Sequence, residues 1–121
     1  MFFRPEPGHV QKVPDTLKIY KIKNELDLYH LAYSLRDLEK ARTHLGRAHI
    51  LSQASAIQHL RIHCLMLLYA LKTHDLKEVF GQIIRLLVTI PGHILGKVPQ
   101  GNIGWSTVGL TEKMEVPEDL K

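Results

Sequence analysis

His59 and His63 stand four residues apart in the segment Ala56-Ile57-Gln58-His59-Leu60-Arg61-Ile62-His63. In a helix that spacing puts both imidazoles on one face, with Cβ atoms about 6 Å apart. It is a standard way for one helix to offer two nitrogens to a metal ion. His49 precedes them, and a helical hairpin turning around Gln53 and Ala54 folds it back opposite His59. The three imidazoles then form a tripod that leaves a coordination position open. Three neutral nitrogens without a carboxylate suit zinc, copper, nickel or cobalt better than magnesium or calcium. Gln53, Gln82 and His93 are the candidates to support such a site. Cys64 sits roughly 100° around the helix from His63, and His44 roughly 140° from His49, so neither points at the same centre. Metal affinity is expected to fall as the pH drops through the imidazole range near 6.5, because ligands must be deprotonated.

The same residues carry a structural reading. A buried imidazole needs a hydrogen-bond partner, and His63, central on its helix's apolar face, is satisfied as well by a carbonyl or by Glu39 as by a metal. Helical histidine pairs are more often structural than metal-bearing. The chain nevertheless holds eight histidines in 121 residues, its one strong compositional anomaly. On sequence alone both readings stand.

No catalytic residue is assigned. A hydrolytic metal centre needs a general base, and no Asp or Glu lies obviously beside the cluster. A neutral-pH general base at His59 or His63 is the weakest of the readings. Ser34, Ser52, Ser55 and Ser106 have no nucleophile elbow around them, and His44, Cys64 and His93 follow no protease signature. The loop Pro99-Gln100-Gly101-Asn102-Ile103-Gly104 lacks the Gly-Lys-Ser/Thr of a phosphate loop. Gly101, Asn102 and Gly104 read there as turn residues that tolerate positive φ.

The elements that must position these side chains are helical. Asn24 offers an N-cap, and Leu28, Leu31, Ala32 and Leu35 follow at helical spacing, which predicts a helix over 24–35. Asp37 and Asp75 cap helices expected at 37–52 and 75–90, and a further helix is expected at 55–73, with Pro91-Gly92 as the final stop. The expected core comprises Leu38, Ala41, Leu45 and Ala48, then Leu60 and Leu67, then Val79, Ile83 and Leu86. A shift of 38 residues lays Ala32 on Ala70, Asp37 on Asp75 and Leu38 on Leu76. The repeat resembles tetratricopeptide-type hairpins, and two units predict an all-α, four-helix arrangement rather than a solenoid. Gly81 and Gly46 lie on outward sides of their helices, where a close approach of the C-terminal segment would account for them. Residues 1–23, with Pro5, Pro7, Gly8 and Pro14, read as an irregular basic arm with a weak strand-like alternation at Ile19–Lys23. Residues 24–121 read as one helical domain, its glycine-punctuated end packed on the helices.

Apolar residues form 45% of the chain and the formal charge is +4. That balance fits a folded domain and excludes a disordered one. The charge lacks the aromatic or glycine-rich context of a nucleic-acid binder. The longest uncharged apolar run, Cys64–Leu71, is far short of the roughly 20 residues of a membrane span, and one cysteine allows no internal disulfide. A cytoplasmic protein is expected. A protein partner or a second copy of the chain remains open as an interaction-module alternative, in which the histidines are only structural.

The run Gly46-Arg47-Ala48-His49-Ile50-Leu51-Ser52-Gln53, the His59-x-x-x-His63 pair, Gly81-Gln82 with Arg85, and Pro99-x-Gly101-Asn102-x-Gly104 together resemble an uncharacterised bacterial family of about this length, the domain-of-unknown-function family numbered 3703. The resemblance spans roughly residues 25–120. It implies that His49, Gln53, His59, His63 and Gln82 occupy motif positions and that the C-terminal segment belongs to the domain. The long N-terminal arm and Ile103, where a small polar residue is expected, depart from the pattern. The family brings no activity with it.

Overall fold

The computed structural model describes residues 15–121. The proline-rich part of the expected arm, with Arg4 and Lys12, lies outside them. Four helices follow one another: α1 (Asp15–Ser34), α2 (Leu38–Ser52), α3 (Ala56–Lys72) and α4 (Leu76–Ile94), with a 3-10 turn at Glu118–Leu120. No strand occurs among the described residues, so the chain is all-α.

The first helix starts nine residues before the expected Asn24 cap. Residues 15–34 contain neither Pro nor Gly, so nothing interrupts the helix. Ile22, Glu25, Tyr29 and Ala32 form its buried stripe at 3/4 spacing, and the Ile19–Lys23 alternation belongs to this helix and not to a strand.

The 38-residue repeat is visible in the turns. Asp37 N–H donates to Ala32 O at 2.9 Å, and Asp75 N–H to Ala70 O at 3.0 Å. Arg36 and His74, one residue earlier, both take left-handed backbone, with φ of 60° and 56°. This is the Schellman closure of a helix C-terminus. Each Asp side chain then accepts from the backbone three residues on, Lys40 N–H and Glu78 N–H, and so caps the next helix. The repeat extends to side chains: His44 Nδ1 lies 2.7 Å from Glu25 in the first unit, and His63 Nδ1 lies 2.8 Å from Gln82 Oε1 in the second, each pair 19 residues apart.

Along α4, Pro91-Gly92 does not end the helix. Pro91 sits in the last turn, and Gly96, at φ 65°, makes the stop, with Lys97 N–H donating to Gly92 O at 2.8 Å.

The core holds Ala41, Leu45 and Ala48 of α2, Ile62, Met66 and Tyr69 of α3, Tyr29 of α1, and Trp105 from the C-terminal segment. That segment packs as expected. Trp105 is buried, donates from Nε1 to Arg42 O at 3.0 Å, and lies under the Arg42 guanidinium. Its neighbour Ser106 occupies the space where a Gly81 side chain would be, so only glycine fits there. Leu38, Leu60, Leu67, Val79 and Leu86 are only partly covered or exposed, and Ile83 is exposed. On α3 the buried face is Ile62, Met66, Tyr69 and Ala70 with His59 and His63, in place of Leu60 and Leu67, and α4 turns a polar face inward. The buried residues of α4 are Glu78, Gln82, Arg85 and Thr89.

Leu45→Ala is expected to cost about 2–5 kcal/mol, since Leu45 is fully buried. Leu67→Ala should cost clearly less. Urea midpoints measure both, and equal losses would contradict this packing.

Candidate metal centre

Three imidazoles converge between α2, α3 and the C-terminal loop. His49 comes from the last turn of α2, and His59 and His63 from the first two turns of α3. Their Nε2 atoms form a nearly equilateral triangle: 2.9 Å from His49 to His59, 3.0 Å from His49 to His63, and 3.1 Å from His59 to His63. All three side chains are buried. With metal–nitrogen bonds near 2.0–2.1 Å, an ion about 1.1 Å above this triangle would see N–metal–N angles of about 95°. That lies between octahedral and tetrahedral values and leaves coordination positions free.

The other ring nitrogens fix the tautomers. His49 Nδ1 lies 2.7 Å from Asn102 O, a carbonyl that can only accept, so Nδ1 carries the proton. Gln82 Nε2 donates to Glu78 Oε1 at 2.8 Å and to Gly104 O at 2.9 Å, which turns Gln82 Oε1 toward His63 Nδ1. His63 therefore also carries its proton on Nδ1. The neutral rings of His49 and His63 then present bare lone pairs to each other across 3.0 Å. Two bare lone pairs this close call for a positive partner, which a cation shared by the three rings or the His59 Nε2–H supplies. His59 Nδ1 meets His93 Nε2 at 2.9 Å, and either ring can donate.

Burial keeps the cluster unprotonated. It holds His49 well below the usual imidazole range, with the nearby His63 and His59 adding to the effect. Burial likewise lowers His59 to about 3, helped by His63 and His93. His63 falls to about 4, again by burial, with the Gln82 hydrogen bond pulling the other way. Three buried, neutral, convergent imidazoles are competent metal ligands. They are the group of His, Cys, Asp and Glu side chains among the described residues whose ligand atoms come close enough to hold an ion.

The trio lines a cavity of about 290 Å³ whose other walls include Val88, Leu95, Val98, Pro99 and Leu110. A ligand reaching the ion from this side would enter an apolar space.

Of the supporting candidates, Gln82 orients His63, and His93 touches His59. Gln53 hydrogen-bonds to none of the three. It clamps the loop instead, donating to Pro99 O at 2.8 Å and accepting from Gly101 N–H at 2.9 Å. His44 pairs with Glu25, as its off-face position predicts, and Cys64 is exposed. Glu39 is not the partner of His63; Gln82 is. In the loop, Gly101 and Gly104 take positive φ, but Asn102 does not. Its side chain braces the loop by donating to Gly109 O and Glu112 O and accepting from Gly104 N–H, while its carbonyl receives the His49 proton. Sequence reasoning also missed Glu78, whose carboxylate accepts from Ser106 N–H and anchors Gln82. Its only sequence signal was an acidic residue one turn before Gln82 on a helix otherwise almost free of charge.

The family model described as "Protein of unknown function (DUF3703)" matches residues 17–121. The chain belongs to the DUF3703 family. The match takes in nearly all of α1 and runs through the C-terminal segment, so it begins earlier than the motif resemblance. The DUF3703 domain thus contains the tripod, Gln82 and the bracing loop. No curated protein and no solved structure matches the chain.

Proposed function

We propose that this DUF3703 protein binds a transition-metal ion through Nε2 of His49, His59 and His63, for sensing, buffering or handling the metal. The observation that carries this reading is the convergence of three buried Nε2 atoms within about 3 Å of one another, two of them with their protons held on Nδ1. A purely structural cluster would put the His59 Nε2–H between the other two rings, whereas the metal reading keeps all three Nε2 atoms bare. An outer layer of Asn102 O, Gln82 and His93 holds each ring, as partners of metal-bound histidines do. Zinc, copper and nickel are the ions whose preferences fit three imidazoles. Among the described residues no carboxylate joins the triangle, so the centre offers no base for hydrolysis there, and we read it as a binding site and not as an enzyme. No helix among the described residues is long and apolar enough to cross a membrane, and the free thiol of Cys64 suits a reducing compartment such as the cytoplasm.

Calorimetric titration of chelator-treated, untagged protein tests the reading. One ion per chain should bind with a Kd far below 0.1 mM for at least one of zinc, copper and nickel, and His63→Ala should remove it. Binding weaker than about 0.1 mM for all three ions would leave only the structural role of the cluster.

A further inference from the structure

The outward face of α4 is strongly apolar. Leu76, Phe80, Ile83, Leu87, Ile90 and Ile94 are between 40% and 78% exposed. Their spacing is 4-3-4-3-4, the a/d seam of a helix that packs lengthwise against another helix. The charges of α4 do not interrupt it. Glu78 and Arg85 are buried on the opposite side, which leaves Lys77 at the first turn as the one exposed charge of the helix. The adjoining α3 adds exposed Ile57, Leu68 and Leu71. The six seam side chains alone expose on the order of 700 Å² of apolar surface, close to the roughly 800 Å² per partner of a standard interface. A lone chain rarely keeps so large an apolar face in water.

We propose that this face binds a second copy of the same chain, α4 against α4, antiparallel about a two-fold axis. An uncharged seam is self-complementary, because no like charges oppose each other when it meets itself. The antiparallel register sets Ile83 against Leu87, Phe80 against Ile90, and Leu76 against Ile94 of the other copy. It also puts each Lys77 beside the carbonyl-rich end of the opposite helix and away from the other Lys77, a favourable placement for a cation. The parallel register would bring the two lysines together. The tripod histidines lie on the inner side of the hairpin, so metal binding and pairing are separable.

Sedimentation equilibrium of the full chain under reducing conditions, at tens of micromolar, should give twice the 13.9 kDa chain mass. Phe80→Glu should give the single-chain mass while keeping helical circular dichroism. If Phe80→Glu precipitates, Ile83→Cys with Leu87→Cys on a Cys64→Ser background decides. Mild oxidation should yield a covalent dimer in high yield, and only monomer would overturn the antiparallel pairing. A monomeric wild-type chain would overturn the proposal, as would a dimer that Phe80→Glu leaves intact. So would a monomer that co-sediments with phosphatidylcholine–phosphatidylglycerol vesicles, since a lipid surface would then be the occupant.

Discussion

Chelator-treated protein should lose several kcal/mol of stability as the pH falls from about 6.5 toward 4, and a saturating transition metal should restore much of it. The sign follows from the burial of the cluster. A histidine whose folded pKa is lowered binds fewer protons folded than unfolded, so its contribution is present above the unfolded value near 6.5 and is lost on acidification toward the folded value. For His63, lowered from 6.5 to about 4, about 1.4 kcal/mol per unit gives about 3 kcal/mol. His59, lowered to about 3, and His49 act in the same direction. Against the roughly 5–15 kcal/mol of a typical domain, this is a large fraction of the total and should lower the melting temperature of the metal-free chain clearly in mild acid. Metal at a hundred times its Kd adds about 2.7 kcal/mol. The folded site also meets the ion already deprotonated. Its intrinsic affinity should therefore hold between pH 7 and 5, and not fall from 6.5 as exposed imidazoles would dictate. Thermal melts with and without zinc, at pH 7, 6 and 5, measure both effects. His63→Ala should lose the metal response. His44→Ala should keep it, although it breaks the Glu25 pair. A melting temperature that ignores both pH and metal across this range would remove the tripod from the account.

The histidine geometry was legible because it depends on spacing alone. Four residues along one helix fix His59 and His63, and the short connection between α2 and α3 brings His49 back to them. The caps at Asp37 and Asp75 and the close approach at Gly81 were legible for the same reason, each resting on a local steric or hydrogen-bonding demand. What the sequence concealed was which face of α4 turns inward. Its apolar stripe has the strongest helical periodicity in the chain, so Ile83 reads as core. Yet the buried face is Glu78, Gln82, Arg85 and Thr89, because the hydrogen-bonding groups of the C-terminal segment lie there. Arg85 donates to Trp105 O at 3.3 Å and to Val108 O at 3.0 Å, and Glu78 receives Ser106 N–H. Periodicity reports which face leaves water and does not say whether the cover comes from the same chain. The start of α1 was hidden for a simpler reason. Asn24 is a good cap residue, but nothing before it obliges the helix to begin there, and the uninterrupted run from residue 15 extends it.

Gly104→Ala should damage the centre more than any other single methyl addition near it. Gly104 has φ 85°, and a Cβ there would stand 2.6 Å from His49 Cγ and Cδ2. Two costs combine. The left-handed backbone alone disfavours a side chain by about 1–2 kcal/mol. The ring of His49 yields only by breaking contacts, because Asn102 O holds its Nδ1 and Asn102 Oδ1 holds the amide of Gly104 itself. Either the ring tilts and its Nε2 leaves the triangle, or the loop lifts and takes with it Gly104 O, the acceptor of Gln82 Nε2, and so frees His63 as well. Both routes break the tripod. Metal affinity should fall by at least the roughly 10–100-fold typical of lost supporting contacts, together with a lower melting temperature in chelator-treated protein. Gly92→Ala is the matched control. It borders the same cavity, but its Cβ would meet nothing within 4 Å and its φ is not positive. As a helical glycine replaced by alanine it should hold or gain up to about 1 kcal/mol and leave the metal Kd unchanged. Equal metal affinity in Gly104→Ala and wild type would mean that His49 is not held against the loop, and that the third ligand of the site must be sought elsewhere.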